Sequence, residues 1–158
     1  MDCGSQKDIL VLGVGNILLK DEGIGVHVVR KMQDLSELPQ RVDLVEGGTH
    51  GVNLLWLICK AEKLILIDAV ETDSTPGTIF RFKPEDVDSD CDGVRFSLGE
   101  IGPLEVLDMA RLCDSCPDTV IFGIQPKEIE WGLELTPEVA SKIPQVIELI
   151  LEEIKNSL

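Results

Sequence analysis

Asp8-Ile9-Leu10-Val11-Leu12-Gly13-Val14 is followed by Gly15-Asn16-Ile17-Leu18-Leu19-Lys20-Asp21-Glu22, and then by Gly23-Ile24-Gly25-Val26-His27-Val28. The first seven residues form a nearly unbroken apolar run that ends beside glycine, the pattern of a strand buried on both faces. From Gly23 to Leu35 the period changes. Ile24, Val28, Met32 and Leu35 return at spacings of three and four, which predicts a helix with one apolar face. A buried strand passing through a glycine-bearing turn into a helix is the opening unit of a parallel α/β sheet.

Outward from that unit the alternation repeats. Val42 to Val45 reads as a short strand, and Val52 to Lys60 as a helix turning Leu54, Leu55 and Ile58 to the sheet. Lys63 to Val70 is a second strand buried on both faces, while Thr78 to Phe82 alternates openly, as an edge strand does. The acid-rich stretch from Lys83 to Val94 predicts an exposed loop. Pro103 suits the first turn of a helix running to about Leu112. Thr119 to Ile124 is a further buried strand, stopped by Gln125-Pro126. Thr136-Pro137 predicts a helix start, and Val139, Ile143, Ile147, Ile150 and Ile154 keep helical spacing after it, with a kink or break expected at Pro144. The expected fold is a three-layer α/β/α sandwich around a mostly parallel twisted sheet, a single domain over 1–158. Strand order stays open.

Composition narrows the function. Hydrophobic residues make up 44% and charged ones 27% of the chain, an ordinary globular balance, but aromatics are only 4%, so the core must be aliphatic. A net charge of −15 repels phosphate backbones and anionic lipid surfaces, which argues against nucleic-acid and membrane partners. No apolar run is long enough for a bilayer, and Met1 to Lys7 lacks a secretory apolar segment, so a cytoplasmic location is expected. Five unevenly spaced cysteines argue against a disulfide framework, and Cys113-Asp114-Ser115-Cys116 is a lone C-x-x-C with no second pair.

In open α/β sheets ligands bind beyond the carboxyl ends of the strands. The first strand delivers Asp21 and Glu22 there after a short loop. The second delivers Glu46, Gly47-Gly48-Thr49 and His50, the third Asp68, and the last Gln125. Asp68 follows Leu64-Ile65-Leu66-Ile67, and an acid in that setting is costly to bury unless it is paired, hydrogen-bonded or metal-bound. A strand-end Asp can equally cap a turn, and an acid at a helix start such as Glu22 gains from the helix dipole with no further role. Converging carboxylates repel unless a cation or shared proton relieves them. His50 is the candidate nitrogen ligand or base, against an ordinary loop histidine. His27 falls about 140° around an ideal helix from Glu22, so the two should not share a ligand. A dinucleotide site is disfavoured: Leu18 stands where the third glycine of the fingerprint belongs, and Asp21 and Glu22 oppose a phosphate at that helix start.

The run Ile9 to Val26 closely resembles the N-terminal signature of the hydrogenase maturation proteases. Gly47-Gly48-Thr49, Leu66-Ile67-Asp68-Ala69, Gly123-Ile124-Gln125-Pro126, the segment Ser97 to Leu107 and Gly132-Leu133-Glu134-Leu135-Thr136-Pro137 resemble it in the same order, covering nearly the whole chain. The resemblance implies an endopeptidase that removes a C-terminal peptide from the large-subunit precursor of a [NiFe] hydrogenase, with nickel contributed by the substrate and no nucleotide involved. It maps the metal-binding carboxylates onto Glu22 and Asp68, which would also be the catalytic acids, and the substrate-binding turn onto Gly47, Gly48 and Thr49. Two positions depart from the pattern. Glu46 precedes the Gly-Gly-Thr turn where the family often has Asp, and Gly99 stands where the family carries a histidine ligand. Three alternatives stay open: His50 supplies the nitrogen, Glu100 substitutes an oxygen, or the chain is a non-catalytic relative that binds the precursor or nickel. A nucleotide-binding α/β domain is the third reading.

Overall fold

The computed structural model describes residues 9–48, 54–86, 108, 111–112 and 117–158. Five strands form one sheet: β1 (Ile9–Val14), β2 (Val42–Gly48), β3 (Lys63–Ala69), β4 (Ile79–Phe82) and β5 (Asp118–Ile124), in the order β2-β1-β3-β5-β4. The neighbours β1–β2, β1–β3 and β3–β5 are parallel, and among the described residues only the edge strand β4 runs antiparallel, against β5. Among the described residues, α1 (Ile24–Gln33), α2 (Leu55–Lys60), α3 (Pro137–Ala140) and α4 (Ile143–Ser157) accompany the sheet. Asp108, Arg111 and Leu112, within the stretch expected to be helical, are helical too.

Strand period two sorts the core into two aliphatic layers. Ile9 and Val11 of β1 and Ile65 and Ile67 of β3 pack with Ile24, Val28, Val29 and Met32 of α1 and with Val146, Ile150 and Ile154 of α4. Leu10, Leu12 and Val14, with Leu64 and Leu66, pack on the opposite face against Leu54 and Ile58 beside and within α2. Helices therefore cover both faces, as the run of doubly buried strands requires.

The α1 helix docks so tightly that no side chain fits at its second residue, Gly25. A Cβ on Gly25 would lie 2.2 Å from the carbonyl oxygen of Ile67. The glycine thus seats the helix directly on the backbone of β3, one residue before Asp68.

Two expectations shift in detail. Leu35 lies beyond the end of α1 and is exposed. The C-terminal helix breaks at Ser141–Lys142, so Pro144 falls in the first turn of α4, where it sacrifices no internal hydrogen bond. Val146 is fully buried, while Ile147 packs against the same core only partly buried. Among the described residues no helix is long and apolar enough to cross a membrane.

Candidate active site at the carboxyl edge of the sheet

Between β1 and α1 the chain makes a tight excursion. Gly15, at φ +124°, turns it away from the strand, and a 3-10 turn over Lys20–Gly23 brings it back. The return is close: a Cβ on Gly15 would lie 2.0 Å from the carbonyl oxygen of Glu22. Lys20 takes a left-handed φ of +46°, a conformation that costs a non-glycine residue about 1 kcal/mol. Tertiary contacts hold it there. Its N–H donates to the carbonyl of Gly132 at 3.0 Å, and its ammonium donates to Glu128 at 2.7 Å and Glu130 at 3.0 Å. Hydrogen bonds to these two carboxylates raise the Lys20 pKa above its ordinary value.

The turn delivers two adjacent acids, both fully buried. Asp21 is a fastener. Its Oδ2 accepts from the N–H groups of Lys127 (2.9 Å) and Glu128 (3.0 Å) and from the hydroxyl of Thr136 (2.8 Å), and its Oδ1 accepts from the Thr136 N–H at 2.8 Å. Thr136 is the N-cap residue of α3 with Pro137 after it, as the Thr136-Pro137 pair predicts, but its hydroxyl serves Asp21 and caps no helix amide. Glu22 stands beside this fastening, with its backbone over Gly15 just past the end of β1, and the turn that carries it also packs on β3.

Asp68, the penultimate residue of β3, is likewise fully buried. Its Oδ1 accepts the N–H of Ala69 at 2.8 Å. Gly13 of β1 lies opposite Ile67, and Asp68 pairs with Gly123 of β5, so the acid stands at the carboxyl edge between two strands. The structure thus brings Glu22 and Asp68, distant in sequence, to the ends of adjacent strands on one edge. Burying two carboxylates there demands compensation by hydrogen bonds or positive charge.

The other candidates divide. Gly47 is the extra residue where the β1–β2 register slips, since Gly13 faces Glu46 while Val14 faces Gly48. This bulge places Gly47 and Gly48 at the same edge, and such irregularities recur beside active sites. Glu46 turns out not to join the edge cluster. It shares the α1 side of β2 with Leu44 and accepts a hydrogen bond from Arg30 of α1 at 2.9 Å. Gln125 reaches the edge as a brace: its Oε1 accepts from the N–H of Thr72 at 2.8 Å and the Thr72 hydroxyl at 3.1 Å, pinning the loop after β3. His27 is half-buried on α1. Burial, and secondly Arg30, depress its pKa below 6.5. Thr49, His50, Gly99, Glu100, Cys113 and Cys116 lie outside the described residues. Among the described residues, no group of three or more His, Cys, Asp and Glu side chains is disposed to hold a metal. Among the described residues the candidate donors at the edge are the two carboxylates, hard oxygen ligands that suit part of a divalent-ion shell.

The sequence and the fold match known proteins. Residues 26–153 fit the family model described as hydrogenase maturation protease. The chain belongs to that family. The hydrogenase expression/formation protein HupD of Rhodobacter capsulatus is 39% identical over 157 residues, covering 98% of this chain and 75% of that protein. The hydrogenase 2 maturation protease of Escherichia coli is 35% identical over 151 residues, 94% of this chain and 92% of that one. Among solved structures, the hydrogenase maturating endopeptidase HybD from E. coli superposes with a TM-score of 0.85 at 34% identity, covering 95% of this chain and 93% of that one. As a maturation protease, the chain is an enzyme, and its five-stranded, mostly parallel α/β domain is the architecture of the family's solved members.

Asp21 is the residue that sequence reasoning missed. It reads as one more acid at a helix start, and its partners lie 106 to 115 positions away. No local pattern connects them.

Proposed function

We propose that this maturation protease is a cytoplasmic endopeptidase that removes a C-terminal peptide from the large-subunit precursor of a [NiFe] hydrogenase, nickel arriving with the precursor. The observation that carries the reading is the pair of fully buried acids, Glu22 and Asp68, at one edge of the sheet. An edge holding two desolvated carboxylates favours a cationic centre in its substrate. Asp68 sits at the end of an apolar strand, where a carboxylate is shielded from bulk water. There it serves as the base: it takes a proton from the attacking water as the new C–O bond forms, and that proton passes to the departing amine as the C–N bond breaks. Glu22 offers oxygen donors to the substrate's metal, and the Gly47-Gly48-Thr49 stretch at the end of β2 is the part assigned to the substrate backbone.

The test is mass spectrometry of a nickel-loaded precursor from the same organism incubated with the protein. Loss of a C-terminal peptide supports the reading; an unchanged mass with a competent precursor refutes it. Gly99 favours a second reading, a relative that binds the precursor or its nickel without cleaving. If cleavage appears only in Gly99→His, that second reading holds. If the native chain cleaves and His50→Ala abolishes it, His50 supplies the nitrogen.

A further inference from the structure

The Leu18–Lys20 turn and the segment after Pro126 run side by side. The N–H of Gly132 donates to the carbonyl of Leu18 at 2.9 Å, the N–H of Lys20 donates back to the carbonyl of Gly132, and Leu19 and Gly132 form a β-bridge. This small ribbon carries large apolar side chains into solvent: Leu18 is 46% exposed, Ile129 39%, Trp131 77% and Leu133 65%. Exposed apolar residues scattered singly need no explanation, but several on one ribbon mark an interaction surface. Trp131 stands out. The other tryptophan, Trp56, lies under the Lys60 ammonium, 4.6 Å from its ring centre, whereas among the described residues no cation covers Trp131.

The ribbon is rigidly tied to the candidate active site, because Asp21 fastens it from below and Glu22 follows in the same turn. Its rim is acidic. Glu128, Glu130 and Glu134 border the apolar residues, Lys20 is engaged by the first two, and Lys127 is paired with Glu138. The whole chain carries −15. An apolar ribbon flanked by more carboxylates than cations selects a partner of opposite sign around an apolar anchor.

We propose that Leu18, Ile129, Trp131 and Leu133 dock a segment of the precursor in which large apolar side chains stand beside lysine or arginine. This holds the substrate while its cleavage site reaches Glu22 and Asp68. The inference deepens the reading given under Proposed function and rests on it for the partner's identity. Trp131 is the anchor, since exposed tryptophan that becomes buried dominates such interfaces.

The experiment uses the full chain labelled with 5-fluorotryptophan, the two fluorine resonances being assigned with Trp56→Phe, and unlabelled nickel-loaded precursor as the probe. On adding precursor, the Trp131 resonance shifts and loses its sensitivity to solvent deuteration, while that of Trp56 stays. In parallel, the double variant Trp131→Ser, Leu133→Ser raises KM for peptide release about tenfold or more with kcat unchanged. Raising salt from about 0.05 to 0.5 M raises the wild-type KM as well. Both substitutions are at exposed positions, and an unchanged circular dichroism spectrum verifies the fold. An unmoved Trp131 signal together with wild-type KM in the double variant overturns the proposal. So does a concentration-dependent shift without precursor, which assigns the ribbon to a second copy of the chain. The two readings fail separately. Trp131 shielded by a precursor that is never cut leaves docking standing and removes the peptidase reading, whereas cutting with Trp131 still solvated does the reverse.

Discussion

Asp21 and Glu22 are neighbours in the chain and equally buried, yet their surroundings assign them different work. Asp21 collects four hydrogen bonds from Lys127, Glu128 and Thr136, so its carboxylate is spent on structure. Replacing it with Asn puts an amide NH2 among donors. Charge-assisted bonds of this kind are worth about 1.5–3 kcal/mol each, so Asp21→Asn should cost about 3 kcal/mol and lower Tm by roughly 6–10 °C in a thermal melt. Glu22→Gln and Asp68→Asn preserve volume and remove a buried charge, and each should leave Tm within a few degrees of wild type. Cleavage of precursor should fall about 100-fold or more in Asp68→Asn, the loss expected of a general base, and about tenfold or more in Glu22→Gln. Full activity in Asp68→Asn would strip that residue of its proposed part. The place of Asp68 was legible because an acid at the end of an apolar strand announces its edge, and that of Glu22 because a short loop after the first strand returns the chain to the same edge. The role of Asp21 was not, since its meaning lies in donors more than a hundred residues away.

At the scale of elements, the junction of β1 and α1 concentrates the constraints. Gly15 gives the reversal, the 3-10 turn carries the acids, and Gly25 lets the helix sit on the carbonyl of Ile67. A methyl at position 25 would stand 2.2 Å from that oxygen, so the helix must lift off β3. Gly25→Ala should destabilise by about 2–3 kcal/mol, the usual cost of overpacking, measured by urea denaturation. It should also lower cleavage, because lifting α1 drags Glu22 away from Asp68. The strands and helices themselves were readable from pattern: ILVLGV, and the runs LILI and VIFGI within KLILIDA and DTVIFGI, are apolar stretches that suit a doubly covered strand. Period misled only where a helix stops. The apolar spacing from Val139 to Ile154 found the core face, but the break comes at Ser141–Lys142, ahead of Pro144, and Val146 lies deeper than Ile147.

Across the whole molecule, the two ends of the sheet are built on opposite electrostatic plans. The carboxyl edge gathers buried acids, whereas the amino edge neutralises them. Lys63 at the start of β3 pairs with Asp118 at the start of β5 and with Glu153 of α4, each at 3.1 Å, and Arg81 of β4 reaches Glu153 at 2.8 Å. Strand order makes this possible by setting β3, β5 and β4 side by side under α4, and that order lies beyond local pattern because crossover connections decide it. Burial raises the Glu153 pKa, but hydrogen bonds from Arg81 and Lys63 outweigh it, and the carboxyl is held below its ordinary 4.5. A carboxylate depressed in the folded state contributes stability that is complete above the unfolded value. The contribution is lost as pH falls through the folded one. Glu153→Gln should therefore cost about 1 kcal/mol at pH 7, where wild type keeps the ion pairs, and progressively less below pH 4.5, where wild type loses them too. Urea titrations of both proteins at pH 7 and below pH 4.5 measure the convergence. A difference that stays constant across that range would mean that packing, and not charge, holds α4 against the amino edge.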